Sequence, residues 1–215
     1  MKIVVEDTKI WTSCEFIYNL YDNGNDTAFY MNRHQINALA IQHITLEQDF
    51  DVILGCQDSC IRIIQGSNLA MEIPVCAPVS TLVPLREHTG RREVPASIAY
   101  GTDIGSFGVV DIDGDGAHNE WVVPDPNLKS PVTCIKMHDL MRDGTDALIL
   151  GRNDGRVEVH MFNMDAMNTE TSAPYKMFSK DVGTYCGSRT IPPHLQLSLM
   201  NTCHIPYLLL GGESE

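Results

Sequence analysis

The stretch DALILGRNDGRVEV, Asp146 to Val159, decides the fold. An apolar run ends on Gly151, a polar turn Asn153-Asp154-Gly155 follows, and Val157, Val159 and Met161 then alternate with Glu158 and His160. A period of two is that of a strand with one apolar, buried face and one wetter face. The Asp-Gly step supplies the positive φ that a tight hairpin demands. Two more copies of the phrase lie upstream, DVILGCQDSCIRII (Asp51 to Ile64) and ASIAYGTDIGSFGVV (Ala96 to Val110). Gly55, Gly101 and Gly151 mark the same place in each, 46 and then 50 residues apart. That spacing fits a propeller blade of roughly 40 to 50 residues.

Working outward, each copy is preceded by a strand-like phrase: INALAIQHI from Ile36, VSTLVPL from Val79 and VTCIKMHDL from Val132. Each is followed by another, respectively LAMEIPV (Leu69 to Val75), EWVV (Glu120 to Val123) and YKMF (Tyr175 to Phe178). Four strands make one blade. Pro95, Pro124, Pro126 and Pro131 fall between strands, where a missing N–H costs nothing. Only Asp165 to Thr171 has helical spacing, and it lacks an apolar face.

The fold class is therefore all-β: a partial or small propeller of four-stranded antiparallel blades. Residues 1–215 are expected to form a single propeller segment, with blades at 36–76, 79–124 and 132–181. KIVVEDTKI, EFIYNLY and TAFYMN, within residues 1–31, are expected to be the outer strands of a partial blade. HLQLSLMN and PYLLLGG, within 194–215, would begin a further one. Three complete blades plus a composite one could close a four-bladed ring. The favoured alternative is a stretch of a longer propeller, whose unpaired edge groups would each cost about 1 to 3 kcal/mol in isolation.

A 215-residue chain with 43% hydrophobic residues can bury a core. Glu6 and Asp7 interrupt any signal-like apolar run, and no segment approaches the roughly 18 apolar residues of a membrane span, so an intracellular, cytoplasmic protein is the default. A formal net charge of -13 disfavours nucleic acid and anionic membrane surfaces and suits basic partners. Seven cysteines, an odd number with no CxxC pair, read as reduced thiols. Asn25-Asp26-Thr27 is a formal glycosylation sequon without a secretory context.

DIDGDGAHNE, Asp111 to Glu120, resembles the calcium loops of integrin-type propellers. Asp111, Asp113, Asp115 and Asn119, with the Ala117 carbonyl, would supply the hard oxygen ligands that Ca²⁺ prefers. The repeat places this loop after a third strand, however, where a Gly- and Asp-rich hairpin turn is the simpler expectation. Val122 stands where an EF-hand needs Glu. The corresponding segment Asp139 to Asp146 has Met141 where a ligand would be needed. Eight histidines are dispersed through different repeats, and no nucleophile elbow, zinc-protease, Walker or dinucleotide motif occurs. Cys56 and Cys60 straddle a hairpin and read as core thiols. No catalytic residue and no cofactor is expected. Trp11, Trp121, Tyr18, Tyr21, Phe29 and Tyr30 are the aromatic candidates for an interface, with packing between blades as the simpler role.

IYNLYDNGNDTAFYMNRHQINALAI (Ile17 to Ile41), LGCQDSCIRIIQGSN (Leu54 to Asn68), IAYGTD (Ile98 to Asp103) and LILGRNDGRVEVHMF (Leu148 to Phe162) are similar, in this order, to a run in the Bardet-Biedl syndrome 7 family. CQDSCIRIIQGS and GRNDGRVEV are the specific parts. The resemblance implies the N-terminal propeller of a BBSome subunit, a non-enzymatic adaptor in ciliary membrane-protein trafficking alongside intraflagellar transport. It implies other Bardet-Biedl complex subunits as partners, one of them propeller-bearing, with cargo contacted indirectly. It also implies a location at the cilium, its basal body and membrane. The coiled coil, small β domain and helical regions that follow the family's propeller are not in this sequence. The competing function is a calcium-binding, integrin-like interaction propeller.

Overall fold

The computed structural model describes residues 1–44, 50–85, 96–113, 116–123, 130–140, 142, 147–161 and 175–181. By internal contacts the chain divides into Met1–Thr184 and Tyr185–Glu215. The described residues all belong to the first unit; the expected blade at 194–215, the helical stretch Asp165 to Thr171, Cys186 and Cys203 lie outside them.

Among the described residues, sixteen strands make four antiparallel sheets, each built from strands consecutive in sequence. The first holds β1 (Lys2–Glu6), β2 (Lys9–Cys14), β3 (Ile17–Asp22) and β4 (Asn25–Met31). The second holds β5 (Ile36–Gln42), β6 (Asp51–Cys56), β7 (Cys60–Gln65) and β8 (Asn68–Pro74). The third holds β9 (Val79–Pro84), β10 (Ala96–Thr102), β11 (Phe107–Asp113) and β12 (Gly116–Val123). The fourth holds β13 (Val132–His138), β14 (Ala147–Arg152), β15 (Arg156–Met161) and β16 (Tyr175–Asp181). The first strands of successive sheets, β1, β5, β9 and β13, pack side by side. That is the radial arrangement of propeller blades, with the first strand innermost.

Residues 1–31 correct the expectation of a partial blade, because they form a complete four-stranded sheet. KIVVEDTKI is two strands rather than one. Asp7 takes a left-handed φ of 49° and the chain reverses so that Glu6 pairs with Lys9. Asp tolerates that conformation better than most residues. The Asn23-Gly24 turn between β3 and β4 has positive φ at both residues, 49° and 79°, as a two-residue hairpin loop requires.

The core lies between sheets. Trp11, Tyr18, Ile36, Val52, Leu54 and Ile64 pack the first sheet on the second. Ile53, Ile61, Ile63, Val79, Ile98, Tyr100 and Ile112 pack the second on the third. Ala99, Phe107, Val109, Val132, Ile135, Leu148 and Leu150 pack the third on the fourth.

The repeat glycines owe their place to these seams. A Cβ on Gly55 would stand 2.6 Å from Val79 Cγ1, and one on Gly101 would stand 2.6 Å from Val132 Cγ1. Each valine begins the innermost strand of the next blade, so any larger residue at the glycine would wedge the blades apart. Side chains one position into the innermost strand complete the seam. Asn37 Nδ2 donates to the Val79 carbonyl at 2.9 Å, and Ser80 Oγ donates to the Val132 carbonyl at 2.5 Å.

Candidate interaction surface

Alternation along β1 to β4 sends one row of side chains into the seam with the second sheet and the other row to the opposite face. Val4, Trp11, Tyr18, Leu20 and Tyr30 form the packed row. Ile3, Val5, Ile10, Ile17, Phe29 and Met31 form the other, and all six are exposed. The ladder aligns them: Ile3 opposes Thr12, Val5 opposes Ile10, Asn19 opposes Phe29, and Ile17 opposes Met31. Ile3 is 53% exposed, Phe29 58% and Met31 66%, so apolar side chains stand open to water on this sheet face, with Thr12 and Asn19 between them. A patch of this kind marks an interaction site. Its side chains belong to the type of sheet face that every described seam covers with a neighbouring blade.

Among the aromatic candidates, Phe29 alone is on this face with its ring exposed. Trp11 and Tyr18 are buried in the first seam, Tyr30 packs partly buried against it, and Tyr21 is half-buried. Burial pushes the Tyr18 phenol well above its usual range. The Trp121 side chain lies outside the described residues. Sequence reasoning missed Ile3, Val5, Ile10, Ile17 and Met31. The available signal was IVV, apolar on both faces of one short strand, the pattern of a strand built for cover on two sides.

Two guanidinium groups organise the polar side of the seams. Arg62 on β7 donates through Nη1 and Nη2 to both Asp58 oxygens, at 3.0 and 2.6 Å, and through Nε to Glu72 at 2.8 Å. Asp58 is thereby held below the ordinary carboxylate range, chiefly by its hydrogen bond from Arg62, which in turn raises the guanidinium's own value. Burial pushes the neighbouring Cys56 thiol up, although Asn32 Nδ2 also donates to its sulfur at 3.2 Å. Cys60, half-buried on the adjoining strand, is raised by burial as well. Such thiols are poor nucleophiles. None of Cys14, Cys56, Cys60, Cys76 and Cys134 is in a disulfide.

Arg152, at the end of β14, donates from Nη2 to Glu158 at 3.0 Å and from Nη1 to the Gly105 carbonyl at 2.6 Å and the Ser130 carbonyl at 3.3 Å. Gly105 lies in the hairpin of the preceding blade, so this side chain ties two blades together. Glu158 and His160, expected on the wetter face of β15, are buried with it, while Val157 and Val159 are half-buried. The pairing with Arg152 is what lets a carboxylate occupy the seam. His160 also meets the Phe107 ring edge-on, with centroids 4.6 Å apart.

The Asp-rich segment is a strand pair. The β11–β12 ladder shifts register between Val109 and Asp111 and then pairs Asp111 with His118, Ile112 with Ala117 and Asp113 with Gly116. Asp111 accepts a hydrogen bond from Ser97 Oγ on β10 at 2.5 Å. Asp115 and the side chains of Asp113 and Asn119 lie outside the described residues. Among the described residues no three His, Cys, Asp or Glu side chains cluster as metal ligands would. No described helix is long and apolar enough to cross a membrane.

Comparison with known proteins agrees with this architecture. The BBS7 beta-propeller family matches residues 1–189. The mouse BBSome complex member BBS7 is 28% identical over 158 residues, covering 74% of this chain and 22% of its own length. The Caenorhabditis elegans BBSome complex member bbs-7 is 23% identical over 176 residues, covering 79% and 23%. The chain thus spans less than a quarter of these relatives. Among solved structures, BBS1N in complex with ARL6DN matches at a TM-score of 0.56 and 11% identity, over 80% of this chain and 49% of that one. BamB from Moraxella catarrhalis matches at 0.55 and 14%, over 87% and 50%. The Myceliophteria thermophila Cps50 (Swd1) β-propeller domain matches at 0.56 and 14%, over 82% and 53%. At these identities the likeness is one of fold.

Proposed function

The chain belongs to the BBS7 beta-propeller family, and from that we propose that it is a non-enzymatic scaffold, the propeller part of a BBSome-type adaptor in ciliary membrane-protein trafficking. The observation that carries this reading is the open apolar face of β1–β4 in a chain whose formal charge is -13. Such a face serves association rather than catalysis. Its partners are other Bardet-Biedl complex subunits, one of them propeller-bearing, and its place is the cytoplasm, the ciliary basal body and the ciliary membrane surface. The family match and the BBSome membership of the mouse and worm relatives support this assignment.

The test is affinity capture of the tagged chain from ciliated cells, with an unrelated propeller as control bait and identification by mass spectrometry. Specific recovery of Bardet-Biedl subunits is the expected result. Their absence, with the bait shown to be folded, overturns the scaffold assignment.

A further inference from the structure

The β6–β7 hairpin carries two of the cysteines face to face. Its ladder pairs Val52 with Ile64, Ile53 with Ile63, Leu54 with Arg62 and Gly55 with Ile61. The next step outward sets Cys56 against Cys60 across the turn Gln57-Asp58-Ser59, where Ser59 takes a left-handed φ of 62° and brings the chain back. Residues opposite each other in an antiparallel pair point to the same side of the sheet. Leu54 and Cys56 pack in the first seam, and Arg62, opposite Leu54 and on the same side of β7 as Cys60, belongs to that side too. Both cysteines therefore stand on the side that meets the first sheet. Opposed residues in such a ladder have Cα atoms about 4.5 to 5.5 Å apart, inside the window of about 4.4 to 6.8 Å that a disulfide spans.

We propose that Cys56 and Cys60 are a reversible dithiol–disulfide pair, a modification site that a small disulfide, oxidised glutathione, closes. Cys60 is half-buried and is the sulfur an oxidant reaches first; Cys56 is fully buried and resolves. The Cys60 thiolate attacks one sulfur of oxidised glutathione, forming a mixed disulfide and releasing one glutathione thiolate. The Cys56 thiolate then attacks the Cys60 sulfur and releases the second. Two protein thiols are oxidised, one glutathione disulfide is reduced to two glutathiones, and the two thiol protons leave with them. Burial raises both thiols and slows these steps, while the Arg62 charge acts in the opposite direction on each. In a reducing compartment the bond is transient and forms under oxidative load. Closure also draws the Cys56 sulfur from Asn32, whose Nδ2 donates to it at 3.2 Å and which begins the link from β4 to β5. Oxidation within the second sheet thus acts on its join with the first.

The experiment equilibrates the purified 215-residue chain in glutathione buffers of falling reduced-to-oxidised ratio, with folding checked by circular dichroism. Samples are quenched in acid, free thiols are alkylated under denaturing conditions, and tryptic peptides are mapped by mass spectrometry. Cleavage after Arg33 and Arg62 puts Cys56 and Cys60, and no other cysteine, in one peptide, His34 to Arg62. That peptide should pass from doubly alkylated to unalkylated and lighter by two hydrogens. The folded chain should reach the midpoint at a ratio about tenfold or more reducing than the chain unfolded in urea, because the hairpin holds the two sulfurs together. Cys60→Ser should leave Cys56 alkylated at every ratio, since the buried sulfur does not meet the oxidant directly. Two alkyl groups retained at the most oxidising ratio overturn the proposal. So does arrest at a glutathione adduct on Cys60, or a midpoint no more reducing than that of the unfolded chain. Each of these results leaves the outcome of the capture experiment untouched.

Discussion

Arg62 and Arg152 face the same problem from opposite strands. The residue after the repeat glycine is Cys56 in the second blade and Arg152 in the fourth, and on the third strand the residue paired with the leucine before that glycine, Leu54 or Leu150, is Arg62 in one and Glu158 in the other. One guanidinium is thus set on the third strand, the other on the second. The consequence lies in what each can reach. Arg62 bonds Asp58 and Glu72, both in its own blade, and the Glu72 side chain remains 47% exposed. Arg152 and Glu158 are each 1% exposed at the side chain, and Arg152 spans to a carbonyl of the preceding blade. Charge in the second blade braces a sheet; charge in the fourth joins two.

The strongest way to break this comparison is Arg152→Ala. It leaves Glu158 buried without its cation and should cost about 3–5 kcal/mol, read from urea denaturation. Arg152→Met with Glu158→Leu removes both charges and should recover more than half of that loss. If the double variant is as unstable as the single, the desolvation argument fails. Gly101→Ala strains the same third-to-fourth seam without touching charge. It should cost about 1–3 kcal/mol, and adding Val132→Ala should not restore it, because the Val132 Cβ itself lies 2.7 Å from the added methyl. Arg62→Ala should cost less, about 1–2 kcal/mol, because water can replace it at Glu72.

Acid sharpens the contrast further. The folded value of Asp58 lies below its unfolded one, so the stability it contributes is complete above the ordinary carboxylate pKa and is lost as pH falls through the lowered folded value. Asp58→Asn should therefore lose less melting temperature than the parent chain between pH 7 and pH 2. Equal losses would show that Arg62 holds the carboxylate too weakly to matter. The smallest effect belongs to the first seam, where the Tyr18 hydroxyl is buried without a hydrogen-bond partner among the described residues. Tyr18→Phe should leave the melting temperature unchanged or slightly higher. A clear drop would reveal a partner for the hydroxyl, such as a buried water.

The blades were legible because their signal is steric and local. Gly55 and Gly101 repeat since Val79 and Val132 need the space, and a glycine at a fixed offset survives as a visible mark in sequence. The turn at Asp7 was not legible, because Asp supplied the left-handed residue where glycine or Asn-Gly would have announced it. The interior polarity of β15 was hidden for another reason. Glu158 looks solvated until Arg152, six residues away across the hairpin, is seen to neutralise it. The open face of β1–β4 was least legible of all. Whether Ile3 or Val4 is covered depends on which neighbour exists, and that is a property of the assembly rather than of the strand.

Among the described residues, every sheet uses only strands adjacent in sequence, with none exchanged across a seam. A ribosome releases such a chain in the order in which it can be built. The ladder of β1–β4 can be complete before β5 emerges, and each later blade then meets a finished surface. Growth runs in one direction, by docking onto the newest blade. Among the described blades, none covers the outer face of β1–β4. During synthesis it is the feature most in need of protection from other nascent chains, and a chaperone that recognises apolar sheet would find it first.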